Sequence, residues 1–98
     1  MESLTEVINL HTTEADDRTV YIGRPSKWGN PYKSGIDGTR SEVIARYKQY
    51  ILNTPELLNS IHELEGKKLA CWCHPKSCHG DVLLELVNIH IIDQHLQY

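Results

Sequence analysis

The sequence lacks a long apolar run, an excess of positive charge and the spaced cysteine pairs of a disulfide framework. Its longest apolar stretches are much shorter than the roughly 20 residues that cross a bilayer, and its acidic N-terminal segment differs from the basic start of a signal peptide. All three cysteines lie between Cys71 and Cys78, a local and odd-numbered set that is typical of a reducing compartment. We therefore expect a cytoplasmic protein that is neither secreted nor partnered with a membrane.

A length of 98 residues leaves room for one domain with one modest core, which we place over residues 1–98. The net charge of −3 gives no overall attraction to nucleic acid. Arg24, Lys27 and Lys33, however, all fall within one loop rich in glycine, proline and asparagine. This local positive charge favours a site for a small anion over an extended surface for a duplex.

The pattern of apolar residues predicts three strands. Short alternating or β-branched segments indicate strands over 6–10 and 18–22. The segment 68–73 is apolar at successive positions, as is typical of a strand that is covered on both faces.

Helical spacing predicts three helices around these strands. The first covers 40–53 and begins with a capping box formed by Thr39 and Glu42, the second covers 54–65, and Asp81 caps the third. The order of elements predicts a small single α/β domain with a mostly parallel sheet of three or four strands, flanked by helices in a Rossmann-like topology.

Two segments carry the unusual side chains: the loop 23–32 and the turn 71–81. Both follow predicted strands, so we expect them to meet at the carboxyl edge of the sheet. The turn leads into a helix, whose N-terminal amides and dipole attract anions and favour a thiolate. We therefore predict Cys78 as a nucleophile and His79 as an acid or base. The alternative is that Cys78 is an inert residue packed beneath the turn.

The same two segments offer groups for binding an anionic ligand. An arginine fork and a lysine bind phosphate, a tryptophan face stacks on a base, an asparagine reads a polar edge and a glycine lets a ligand approach the backbone. The predicted ligand-binding residues are Arg24, Ser26, Lys27, Trp28, Asn30, Cys73, Lys76, Gly80 and Asp81. The alternative for Trp28 is that it packs at the rim of the core.

A metal site is a further alternative for the turn. Cys71, Cys73, His74, Cys78 and His79 are soft ligands that zinc accepts. Structural zinc sites commonly contain two separated ligand pairs, whereas this sequence has one cluster spaced C-x-C-H-x3-C-H. We therefore predict no metal and no cofactor, with zinc as the alternative.

The segments 20–31 (Val-Tyr-Ile-Gly-Arg-Pro-Ser-Lys-Trp-Gly-Asn-Pro) and 69–83 (Leu-Ala-Cys-Trp-Cys-His-Pro-Lys-Ser-Cys-His-Gly-Asp-Val-Leu) resemble the hallmarks of the domain of unknown function 4326 family of bacteria and phages. The resemblance extends over about residues 7–87 and implies no particular reaction. The turn is also similar, more weakly, to the domain of unknown function 488 family, whose turn ends Cys-His-Arg. Gly80 stands in the place of that arginine, which makes Arg24 the substitute.

These observations predict the binding, or the binding and hydrolysis, of a phosphorylated nucleoside or related small anion at a site formed by both segments. The alternative is a non-catalytic module that binds nucleic acid or protein. One variant of this alternative is that zinc stabilises the module. In a third interpretation both motifs serve packing only. The oligomeric state is left open.

Overall fold

The computed structural model describes residues 5–72 and 78–96. The elements, in chain order, are β1 (Glu6–Asn9), β2 (Thr19–Tyr21), α1 (Arg40–Leu52), α2 (Pro55–Leu58), a 3₁₀ helix (Ile61–Leu64), β3 (Lys68–Cys71) and α3 (His79–Leu96). This is an α/β fold, as the sequence predicts. Within the described ranges, no helix combines the length and the apolar character needed to span a bilayer.

β3 lies at the centre of a three-stranded parallel sheet, with β1 on one side and β2 on the other. Leu69 is in register with both Val7 of β1 and Val20 of β2. Leu69, Ala70 and Cys71 are all buried, which explains why this strand is apolar at successive positions. The predicted parallel sheet is confirmed. The Rossmann-like topology is not confirmed, because the chain that connects β1 to β2 forms no helix.

α1 begins at the predicted capping box. The hydroxyl of Thr39 accepts a hydrogen bond from the Glu42 amide, and the Glu42 carboxylate accepts one from the Thr39 amide. These bonds pair amides that the first turn of a helix leaves unsatisfied, and they hold the pKa of Glu42 below its usual value. Val43, Tyr47 and Ile51 then face the core from successive turns.

The single helix predicted over 54–65 is wrong. The chain forms α2 and then, after a two-residue break, the 3₁₀ helix. The Ser60 hydroxyl donates to the Glu56 carbonyl at 2.8 Å, a side-chain bond to the backbone of the kind that bends or interrupts a regular helix. Leu57, Ile61 and Leu64 are buried on both sides of the break, so their spacing alone does not reveal it.

α3 begins at His79, so Asp81 is its third residue and not the predicted N-cap. The Asp81 carboxylate instead accepts a hydrogen bond from the Cys78 amide at 3.1 Å, which caps the helix from inside its first turn. The apolar side of α3 packs into the same core as the sheet and α1, and its buried residues are Val82, Leu83, Leu86 and Val87.

Candidate functional site

A cavity of about 400 Å³ opens where β2 and β3 end. Residues from both predicted segments and from α1 line it: Tyr21, Gly23, Arg24, Asn30, Tyr32, Ser34, Arg40, Val43, Ile44, Cys71, Trp72, Cys78 and His79. The structure therefore brings Arg24 and Asn30 of the loop to the same cavity as Cys78 and His79 of the turn.

Two thiols lie side by side in the cavity wall. The Sγ atoms of Cys71 and Cys78 are 3.6 Å apart, and both residues are buried. The Cys78 sulfur also accepts a hydrogen bond from the Gly80 amide at 3.3 Å, whereas the Cys71 thiol donates to the Ile8 carbonyl at 3.6 Å. The hydrogen bond from the Gly80 amide favours negative charge on the Cys78 sulfur, so the two thiols are not equivalent.

His79 is fixed by a hydrogen bond to the residue that directly follows β2. Its Nε2 lies 2.6 Å from the Ile22 carbonyl oxygen, and because a carbonyl only accepts, Nε2 carries the proton. Burial lowers the pKa of His79, and the positive charge of Arg24 acts in the same direction. The ring is therefore neutral at neutral pH, with its lone pair on Nδ1. Tyr47 packs edge-on against it, with the ring centroids 5.0 Å apart.

Arg24 and Asn30 hold the loop in different ways. The Arg24 guanidinium donates to the Asn30 carbonyl at 3.1 Å, and the residue is exposed at the cavity. The Asn30 side chain donates to the Val43 carbonyl and accepts from the Tyr32 amide. Asn30 therefore anchors the loop to α1, and Arg24 is the more accessible of the two to a ligand.

The structure does not bring Ser26, Lys27 or Trp28 to the cavity lining. Trp28 is only 3% exposed and is part of the core, so stacking of a ligand on its face is incompatible with its position. The Lys27 ammonium lies 2.8 Å from the Glu63 carboxylate, and the Ser26 hydroxyl is buried. Of the two interpretations of Trp28, packing is the one that agrees with the fold.

Gly80 and Asp81 serve the helix and its packing. A Cβ atom on Gly80 would lie 3.0 Å from the Ile22 side chain and 3.1 Å from the Val7 side chain, so the absent side chain lets α3 approach the sheet. The Gly80 amide is bonded to the Cys78 sulfur. Gly80 thus allows the close approach of α3 and the sheet.

Two predicted ligand-binding residues, Cys73 and Lys76, lie outside the described residues, as does His74 of the zinc alternative. Among the residues that are described, no group of three or more histidine, cysteine or acidic side chains is arranged to hold a metal ion.

Comparison with known proteins identifies the family. A family model described as domain of unknown function (DUF4326) matches residues 8–89. The chain belongs to the DUF4326 family. It is 33% identical over 89 residues to the "Uncharacterized 12.4 kDa protein in nrdA-td intergenic region" of Enterobacteria phage T4, a match that covers 87% of this chain and 79% of the phage protein.

A second relative is the "Uncharacterized protein R718" of Acanthamoeba polyphaga mimivirus. It is 34% identical over 88 aligned positions, in a match that covers 71% of this chain and 67% of the mimivirus protein. No solved structure gives a significant match. The resemblance that the two sequence motifs indicate is therefore confirmed at the level of the family.

The cavity of this DUF4326 chain also contains residues that the sequence did not single out. Tyr21, Tyr32 and Trp72 supply aromatic rings, and Arg40 supplies a second guanidinium. Tyr21 is the last residue of β2, and Trp72 directly follows β3. The two residues are exposed, 51% for Trp72 and 38% for Tyr21, and an aromatic residue near the end of a predicted strand is the signal that marks them. Arg40 gives no such signal, because its place at the cavity depends on how α1 packs.

Proposed function

We propose that the cavity binds a phosphorylated nucleoside or a related small anion. The composition of the cavity lining supports this proposal: it combines two arginines with three aromatic rings, and none of its described residues is acidic. The volume of about 400 Å³ falls within the range of about 300–1,000 Å³ that is usual for small-molecule sites.

Positive potential at the cavity comes from side chains and from the backbone. Arg24 and Arg40 line it from the loop and from the start of α1. Cys78 and His79 line it at the start of α3, so the positive end of that helix dipole is also at the cavity. A phosphate group is the ligand chemistry that guanidinium groups and a helix N-terminus both favour.

Trp72 is suited to the stacking role that the sequence predicts for Trp28. The residue is 51% exposed, and its ring lies beside that of His11, with the ring centroids 4.6 Å apart. Its Nε1 donates to the Tyr21 hydroxyl at 3.4 Å. An exposed indole that is held in place at a cavity loses little freedom when a flat base stacks on it, and such stacking contributes about 1–3 kcal/mol per base.

Binding is the core of the proposal, and catalysis by Cys78 and His79 remains a prediction. Two observations bear on their roles. The Gly80 amide favours a charged Cys78 sulfur, and Nδ1 is the nitrogen of His79 that holds a lone pair. A hydrolytic role would therefore use the Cys78 sulfur as nucleophile and Nδ1 of His79 as the base.

Isothermal titration with ribonucleoside monophosphates, the matching nucleosides and inorganic phosphate tests the proposal. We expect a monophosphate to bind more tightly than its nucleoside or than phosphate alone. Arg24→Ala should weaken this binding by about tenfold or more, because a hydrogen bond to a charged group contributes about 1.5–3 kcal/mol. Lys27→Ala is the matched control: Lys27 lies in the same loop but pairs with Glu63, so its removal should change affinity by less than about twofold.

A second variant separates the ring from the phosphate. Trp72→Ala should weaken binding of the monophosphate and leave that of inorganic phosphate unchanged. The proposal fails when no probe binds, or when Arg24→Ala and Lys27→Ala have equal effects. Tighter binding of a single-stranded oligonucleotide, with a steep dependence on salt, would instead support the nucleic-acid-binding alternative.

A further inference from the structure

We infer that Cys71 and Cys78 form a reversible redox pair, and that their disulfide lowers the affinity of the cavity for its ligand. The first half of this inference rests on the geometry of the two thiols. The second half rests on the function proposed above.

The distance between the sulfurs is short enough for a disulfide to form with a local adjustment. The Sγ atoms are 3.6 Å apart, and a disulfide bond is about 2.05 Å long, so the sulfurs must approach by about 1.5 Å. Cys71 is the last residue of β3, and Cys78 directly precedes α3. Each thiol thus lies at the end of its element, where a small shift breaks few of the regular backbone hydrogen bonds.

The hydrogen bonds of the two sulfurs assign them different roles. The Cys78 sulfur accepts from the Gly80 amide at 3.3 Å at the start of α3, which favours the thiolate. The Cys71 thiol has the Ile8 carbonyl at 3.6 Å as an acceptor, which favours the protonated form. Cys78 is therefore the nucleophile that attacks an oxidant, and Cys71 is the thiol that then attacks the oxidised Cys78 to form the disulfide.

A hydroperoxide is the oxidant class that this arrangement suits. The Cys78 thiolate attacks one peroxide oxygen and the O–O bond breaks, which gives a sulfenic acid and, with the thiol proton, one water molecule when the peroxide is hydrogen peroxide. The Cys71 sulfur then attacks the Cys78 sulfur, the S–O bond breaks, and the hydroxide leaves with the Cys71 proton as a second water. Two thiols are oxidised, one peroxide is reduced, and a dithiol reductant reverses the change.

The disulfide acts on the cavity through the neighbours of the two cysteines. Trp72 follows Cys71 and His79 follows Cys78, and both neighbours line the cavity. Bond formation also withdraws the Cys78 sulfur from the Gly80 amide. The indole that we propose as the stacking face and the first turn of α3 must both shift, so the oxidised cavity should bind its ligand less well.

Peptide mapping by mass spectrometry tests the redox pair without any ligand. The reduced protein is treated with hydrogen peroxide, its remaining thiols are alkylated, and the digest is analysed. We expect a peptide in which Cys71 and Cys78 are linked with the loss of two hydrogen atoms, and its disappearance after dithiothreitol. Cys73→Ser, the matched control, should retain the link, whereas Cys78→Ser and Cys71→Ala should abolish it. Failure to form the link in Cys73→Ser would overturn the inference.

The effect on the cavity is measured in two ways. We titrate the ribonucleoside monophosphate that binds most tightly to the reduced protein. The oxidised protein should bind it about tenfold less tightly, a loss comparable to that of one or two hydrogen bonds. Reduction should restore the affinity. Quenching of Trp72 fluorescence by iodide, with Trp72→Phe as control, should also change on oxidation and needs no ligand. Unchanged quenching in linked protein refutes the effect on the cavity, whether or not a nucleotide binds, and so separates this failure from that of the proposed function.

Discussion

Tyr47 is the residue that ties the core to both segments of the candidate site. Its hydroxyl donates to the Trp28 carbonyl at 2.6 Å, and its ring packs against His79. The side chain is fully buried, and burial raises the pKa of Tyr47 far above its ordinary value, so the hydroxyl stays protonated as long as the chain is folded. One buried hydrogen bond from α1 therefore holds the loop that carries Arg24.

We expect Tyr47→Phe to lower the free energy of unfolding by about 1–3 kcal/mol, because it leaves the Trp28 carbonyl without this donor. Urea denaturation measures the loss. Tyr50→Phe is the control: Tyr50 is half-buried in the same helix, with its ring 6.1 Å from that of Tyr47, and its change should stay below about 0.5 kcal/mol. Equal losses in the two variants would contradict the role assigned to this bond.

The contact between α3 and the sheet depends on Gly80. The side chains of Ile22 and Val7 and the Cys78 sulfur occupy the space around its Cα, at 3.0, 3.1 and 3.3 Å from where a Cβ would lie. Two of these three groups are methyl groups of buried, branched side chains, which have little freedom to move. The first turn of α3, and with it the position of His79, is therefore set by this close approach.

Gly80→Ala should lower the free energy of unfolding by about 1–3 kcal/mol through overpacking, although alanine is intrinsically the better helix former by about 1 kcal/mol. Chemical denaturation monitored by circular dichroism gives the value. Asn88→Ala, at an exposed position of the same helix, should be neutral or slightly stabilising. A stabilised Gly80→Ala protein would show that α3 does not approach the sheet as closely as the structure indicates.

His79 makes the stability of the folded chain depend on pH in the mildly acidic range. Burial lowers its pKa in the folded chain, whereas the unfolded chain has the ordinary value of about 6.5. As the pH falls below that value, the unfolded chain takes up a proton that the folded chain does not, so the free energy of unfolding decreases. Arg24 strengthens this effect, while the hydrogen bond to Ile22 and the negative charge of Asp81 oppose it.

We therefore expect stability to decline as the pH is lowered from about 7 to about 5, and to decline less in His79→Gln. Urea midpoints measured at intervals across this range provide the test. The lowered pKa values of Glu42 and Glu63 act at more acidic pH, because those carboxylates lose their stabilising charge only below their ordinary value of 4.5. The same pH slope in both proteins would assign the effect to another group.

Local patterns account for much of the fold. The capping box at Thr39 can be predicted from the sequence because its two hydrogen bonds are made by residues three apart. Strand β3 can be predicted because a strand that is covered on both faces must be apolar at successive positions. The break between α2 and the 3₁₀ helix cannot be predicted from the sequence pattern, because one continuous helix and the observed interrupted one bury the same three side chains, those of Leu57, Ile61 and Leu64.

The candidate site was predicted in position better than in composition. The rule that loops at the carboxyl ends of parallel strands meet was sufficient to place Arg24 near Cys78 and His79. The same rule does not tell which tryptophan faces inward. Trp28 is buried where the loop folds onto Tyr47, a contact that spans 19 residues of sequence, whereas Trp72 directly follows β3 and is exposed.

The family, the α/β class and the two segments with unusual side chains follow from the sequence alone, because each depends on motifs or periodicities within a short stretch of chain. Three relations follow from the fold instead: Cys71 and Cys78 lie with their sulfurs in contact, Arg40 joins Arg24 at the cavity, and Trp72 supplies the exposed ring. Those relations are set by how helices pack on the sheet, and packing depends on the shapes of all the side chains together.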